Sequence, residues 1–159
     1  MAPVTLVSTP DYLDFCKHVQ HQLSEVGIEM KIEINTPAAV KEMKANARLT
    51  FFRASWIADY PDAENYLLIF LGRNFCPRGP NYTHFFSETY DRLYAKAMSE
   101  LSDTARTSIY REMEGIMMEE SPVVVLYYDQ VLRFVSRRVS GLGSNPMNLL
   151  TLKKVKLSR

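Results

Sequence analysis

An apolar run, a Thr-Pro pair and a helical pattern follow one another twice within the first forty-five residues. Thr5 to Ser8 reads as a short strand. Thr9 then suits an N-cap, Pro10 the first helical position, and Asp11 the positive end of the helix dipole. The helix behind them sets Tyr12, Cys16, Val19, Leu23 and Val26 on one face, and Gly27 stops it. Ile28 to Ile34 alternates strictly between apolar and charged residues, so that strand has one wet face and belongs near a sheet edge. Thr36-Pro37 starts a second helix carrying Val40 and Met43 to about Ala45, and Leu49 to Ser55 is predicted as a third strand. Short β-α-β-α-β connections obey the right-handed crossover rule and predict an α/β fold, a mostly parallel or mixed sheet flanked by helices.

Beyond Ser55 the pattern changes. Asp62 is placed to cap a helix from Ala63 to about Leu71, and residues 72–84 form a long loop rich in Gly and Pro. Ser87 caps a helix with Tyr90, Leu93, Tyr94, Ala97, Met98 and Leu101 in register. Asp103 starts another with Ala105, Ile109, Met113, Ile116 and Met117 inward, and Ser121-Pro122 ends it. Val123 to Tyr128 is uninterrupted and reads as a strand buried on both faces. Val131 to Val135 and Leu149 to Leu157 are candidate strands on either side of a loop with Gly141, Gly143, Asn145 and Pro146.

With 159 residues, 47% of them hydrophobic, the chain can bury a core without metals or disulfides. It holds no apolar run long enough to span a membrane. Its net charge of +1 conceals an asymmetry. All 18 acidic residues lie between Asp11 and Asp129, whereas residues 131–159 carry seven basic residues and no acid. Interleaved apolar residues make that tail a strand or docking segment rather than an arm for nucleic acid or anionic lipid.

Cys16 and Cys76 stand in no metal or redox spacing. His18 and His21 fall on the polar face of their helix, and His84 lies alone in a loop. No G-x-S-x-G, phosphate loop or dinucleotide fingerprint is present, and nothing near Cys76 in the sequence supplies a base. No cofactor and no metal are expected. The start, Met-Ala-Pro-Val-Thr-Leu, lacks the pattern of a signal peptide, which predicts either a cytoplasmic protein or a piece of a longer exported one.

The segment Trp56 to Asp62 begins where the third strand ends, the place where open α/β sheets bind ligands. Trp56 brings a flat apolar wall and Asp59 a negative charge three residues on, a receptor for an ammonium group. The competing role for Asp59 is closure of an Asx-turn before Pro61.

Ala54-Ser55-Trp56-Ile57-Ala58-Asp59-Tyr60-Pro61-Asp62 resembles the W-x-A-D-Y-P-D-P segment of bacterial family 5 extracellular solute-binding proteins, the peptide- and nickel-binding receptors of ABC importers. Val19 to Leu23 with Gly27-Ile28, Asn81-Tyr82, Tyr90 to Leu93, Asp103 to Arg106 with Tyr110, and Pro122 to Tyr128 match the same family in order, over about residues 4–143. The resemblance implies one lobe of a two-lobe periplasmic-binding-protein-like fold. Residues 1–130 would form an incomplete C-terminal, ligand-binding lobe, and residues 131–159 a basic return segment toward the N-terminal lobe. It implies a periplasmic or surface-anchored receptor that hands peptides or similar cationic solutes to permease subunits, its signal lying outside this chain. Asp59 would pair with the ligand's α-ammonium group, with Trp56, Tyr60 and Tyr82 beside it. The match departs at Ala63, where the motif has Pro, and at Ser8-Thr9-Pro10, where strict dipeptide binders carry an arginine for the ligand's carboxylate. Longer peptides or another cationic ligand are therefore expected. Two other readings remain: an interaction module whose basic tail binds nucleic acid or an acidic partner, and a thiol- or metal-dependent hydrolase.

Overall fold

The computed structural model describes residues 3–145 and 149–158. β1 (Val4–Ser8) pairs in parallel with β2 (Met30–Ile34), in a register running from Val4↔Met30 to Ser8↔Ile34. On its other edge β1 meets Phe52 through a single parallel bridge at Val7, with Val7 N donating to Phe51 O and Arg53 N to Val7 O, both at 3.1 Å. β1 is thus central and β2 lies at the edge, as its alternation requires. The predicted third strand shrinks to that bridge.

Helix α1 (Leu13–Glu25) crosses between the two strands. Its first turn differs from expectation: Pro10–Tyr12 is a 3-10 turn, and Thr9 caps with no side-chain bond. At the other end Gly27 takes φ +78°, Ile28 N donates to Leu23 O and Gly27 N to Ser24 O. This Schellman ending turns the chain into β2 and leaves Val26 exposed rather than on the buried face. Cys16 fills the core with Leu6 and Met30, and Tyr12, Phe15, Val19, Leu23, Ile32 and Phe51 pack around it. Helix α2 (Pro37–Ala45) starts as predicted, Thr36 Oγ1 accepting from Ala39 N at 3.3 Å.

A second core belongs to the helices. α3 (Glu64–Leu67) runs into a 3-10 turn over Leu68–Phe70. α4 (Glu88–Ser99) and α5 (Asp103–Glu120) are capped by Ser87 and Ser102 and pack along each other. Leu67, Phe70, Leu71, Tyr90, Tyr94, Ala97, Ile109, Tyr110 and Met113 are buried between them. Leu101 is 98% exposed, because α4 ends at Ser99 and Glu100 is extended.

Residues 72–84 form a built loop. Asn81 is fully buried, its Nδ2 donating to Leu71 O and Phe85 O at 3.0 Å each, while its Oδ1 accepts from Thr83 Oγ1 at 2.9 Å. Such a side chain substitutes for the backbone pairing the loop lacks.

The C-terminal expectations are corrected. Val123 to Tyr128 takes no regular structure, and Val124 to Tyr128 are exposed, although Val123 packs on the helical core. An apolar run becomes a buried strand only between strand neighbours, and none flanks it among the described residues. Val131 to Val135 is likewise no strand. Of Leu149 to Leu157 only β4 (Lys156–Leu157) is a strand, antiparallel to β3 (Val139–Ser140). Pro146 lies outside the described residues. Among those described, no helix is long and apolar enough to cross a membrane.

Candidate functional site

The bridge at Phe52 delivers the chain to a tight turn fastened from below by Asn65, which is 1% exposed. Asn65 Oδ1 accepts from Trp56 Nε1 at 2.8 Å and from Asp59 N at 3.2 Å. The indole N–H is thereby spent inside the protein, leaving the ring of Trp56 half-buried as an apolar wall. Glu64, also buried, accepts from Tyr60 Oη and from Tyr94 Oη of α4. Asp62 Oδ1 caps α3 through Glu64 N at 2.9 Å and accepts from Tyr110 Oη at 3.3 Å, and Arg106 lies 3.7 Å from Asp62 Oδ2. These bonds tie the turn to the α4–α5 pair.

Asp59 itself is exposed, and its carboxylate has neither hydrogen bond nor ion pair among the described residues. The Asx role belongs to Asp62, so the Asx-turn alternative for Asp59 is overturned. Trp56, Asp59 and Tyr60 share one turn. Tyr82 stands elsewhere: its ring lies 5.3 Å from Lys44 Nζ of α2, with Phe52 at 5.9 Å from the same ammonium group.

Next to Ser55 a cavity of about 200 Å³ opens at the carboxyl end of β1, between α2 and residues 53–55. Lys41, Lys44 and Arg53 line it, with Ser8 at its floor. Arg53 rests on the Tyr12 ring at 3.4 Å, and its Nη1 donates to Ser55 Oγ at 3.3 Å. Burial, and then Arg53, push the Lys44 ammonium below its ordinary pKa. Sequence reading missed this pocket. Its signal was Lys41 and Lys44 three apart on one helix face, followed by a basic residue in the next strand.

His18 and His21 lie on the exposed side of α1, His21 Nε2 standing 3.7 Å from Glu25. His84 is not alone: it stacks on Phe75, and its Nε2 lies 3.0 Å from Cys76 Sγ, which also donates to Lys44 O at 3.3 Å. The absence of a base near Cys76 is thereby corrected, but the sulfur is buried and turned inward. Among the described residues no group of three or more His, Cys, Asp or Glu is placed to hold a metal.

The tyrosines that fasten the turn give it an alkaline limit. Burial raises the phenols of Tyr90, Tyr94 and Tyr110, the last to about 12, and the bond to Glu64 raises Tyr60. Each proton is held more tightly in the fold than in the unfolded chain, where the value is near 10. Stability is therefore complete below pH 10 and falls as pH climbs from 10 through the folded values. Of the chain's nine tyrosines, the part of the tyrosinate absorbance that belongs to these four should appear only as helical circular dichroism is lost. Ionisation of all nine phenols with the helices intact would contradict the network.

Strand, helix and strand in parallel, a solvent-exposed turn at the strand's carboxyl side and a helical flank define an α/β lobe of the periplasmic-binding-protein type. The murein tripeptide binding protein MppA of Escherichia coli shares this fold with a TM-score of 0.85 and 20% identity, over 99% of this chain and 31% of that one. Relatives by sequence include several peptide-binding proteins. Dipeptide-binding protein DppE of Bacillus subtilis (strain 168) is 22% identical over 152 residues, 94% of this chain and 27% of its own length. Di/tripeptide-binding protein 2 of Pseudomonas aeruginosa (strain UCBPP-PA14) is 27% identical over 140 residues, 87% of this chain and 26% of its own. The chain thus spans about a quarter of the length of the curated relatives it matches. No protein-family model matches it.

Proposed function

We propose that this chain is the C-terminal, ligand-binding lobe of the solute-binding subunit of an ABC importer, taking peptides or similar cationic solutes in the periplasm or at the cell surface. The observation that carries it is the unpartnered Asp59 carboxylate, presented beside the Trp56 ring on a turn whose own bonding needs Asn65, Glu64 and Asp62 already meet. The homology to peptide-binding proteins supports the reading, and several homologues are periplasmic by name.

The protein works by capture rather than by chemistry. Residues 1–130 form the lobe, and residues 131–159 return toward the other lobe. The exposed apolar side chains of Leu132 and Phe134 would find their cover there. Asp59 pairs with the ligand's α-ammonium group, Trp56 and Tyr60 flank it, and Tyr82 lines the far side with Lys44. Closure of the two lobes desolvates the pair, and the closed form docks on the permease. Such a pair adds little net affinity but is costly to break, so both lobes together set the binding strength.

In the full-length receptor, Asp59→Asn is expected to weaken binding of a co-purifying peptide at least tenfold by calorimetry. Acetylating that peptide's N-terminus should cost the wild type as much and the variant little, since the two changes remove one interaction. Equal affinity of the wild type for the free and acetylated peptide would overturn the assignment of Asp59.

A further inference from the structure

Glu64 carries a charge that nothing beside it balances. It is 7% exposed, its Oε2 accepts from Tyr60 Oη and its Oε1 from Tyr94 Oη. Acceptance on both oxygens is the bonding of a carboxylate, since a carboxylic acid would spend one oxygen as a donor. Among the described residues no Lys, Arg or His forms an ion pair with it, whereas Asp62 has Arg106 at 3.7 Å. Two neutral phenols are modest compensation for a buried charge.

The consequence falls on Tyr60, which follows Asp59 directly and is 43% exposed. A phenol has one hydrogen to give, and here it points inward to Glu64. The Asn65 amide reaches the same hydroxyl and helps to hold it in place. What the oxygen can still offer outward is a lone pair, made richer in electrons by the carboxylate behind it.

We propose that Glu64 is a specificity-determining positioning residue, which fixes the Tyr60 hydroxyl as an acceptor toward the guest beside Asp59. An α-ammonium group brings several donors and can satisfy Asp59 and Tyr60 at once. A carboxylate or an N-acyl carbonyl brings an acceptor instead, and meets a hydroxyl with no hydrogen to give. The turn thus selects by hydrogen-bond polarity as well as by charge. This rests on the pairing of Asp59 with the ligand's α-ammonium group, and adds to it a residue that acts only through Tyr60.

The test uses the full-length receptor and its co-purifying peptide, sequenced and resynthesised with a free or an acetylated N-terminus. Calorimetry gives the ratio of the two affinities; a purely structural role for Glu64 would weaken both forms alike and leave that ratio unchanged. Glu64→Gln removes the charge and turns an amide donor toward one of the phenols. It should shrink the ratio about fivefold, the scale of one net hydrogen bond. Tyr60→Phe should shrink it as much, and the double variant no further, because the two residues act as a unit. A second measurement needs no peptide. In a spectrophotometric titration, with Tyr60→Phe as the blank in each background, the Tyr60 phenol should ionise at lower pH in Glu64→Gln than in the wild type, since the bond to Glu64 is the first cause of its raised pKa. A wild-type ratio in either single variant, additive losses in the double, or an unmoved Tyr60 titration would each overturn the role of Glu64 and leave Asp59 with its own. A wild type that binds both peptides equally would overturn the Asp59 pairing and this inference with it.

Discussion

Replacing Asn65 with leucine should lower the unfolding free energy by about 3 kcal/mol, from two donors losing one acceptor at roughly 1–3 kcal/mol each. Leucine repeats the branched shape of asparagine without its acceptor, so the expected loss is chiefly one of hydrogen bonding. The orphans are Trp56 Nε1 and Asp59 N, which now share a single oxygen. Because Trp56 is the chain's one tryptophan, its fluorescence reports on this turn alone. Emission should move to the red in the folded variant as the indole loses its seat. Unchanged emission with a stability loss under about 1 kcal/mol, the scale of an ordinary net hydrogen bond, would show that Asn65 does not hold the turn.

Met113→Ala should cost about 3 kcal/mol, within the range for deleting a long buried side chain and leaving a cavity. Met113 is fully buried where α5 faces Tyr90, Tyr94 and Leu67. Two controls fix the cause. Met117→Ala, only partly buried, should cost about half as much, and Leu101→Ala next to nothing, since little apolar area leaves water there. Chemical denaturation of the three variants measures the series. Equal losses at Met113 and Leu101 would mean the helices pack differently.

That contrast shows where sequence reading succeeded. The starts of α2 and α4 and the end of α1 were legible because one residue settles each: Thr36, Ser87 and Gly27 act within four positions of themselves. Leu101 was misread because its helical spacing continues past the point where the backbone stops being helical. The run from Val123 to Tyr128 was misread for a different reason: strand burial depends on neighbours that composition does not name. The site divides in the same way. Trp56 and Asp59 could be picked out from their spacing and position, and a family resemblance pointed to the same turn. The Tyr60–Glu64–Tyr94 link reaches across thirty positions, and the meeting of Cys76 with His84 depends on a loop with no periodicity.

The indole turn and the basic pocket have different foundations. The indole turn is anchored to the α4–α5 pair, and the basic pocket opens at the end of β1, which belongs to the other core. A guest gripping both would act as a cross-brace between two separately seated blocks. Its affinity would then record strain in either block, so a substitution deep in one core could weaken binding while every contacting side chain stayed as it was.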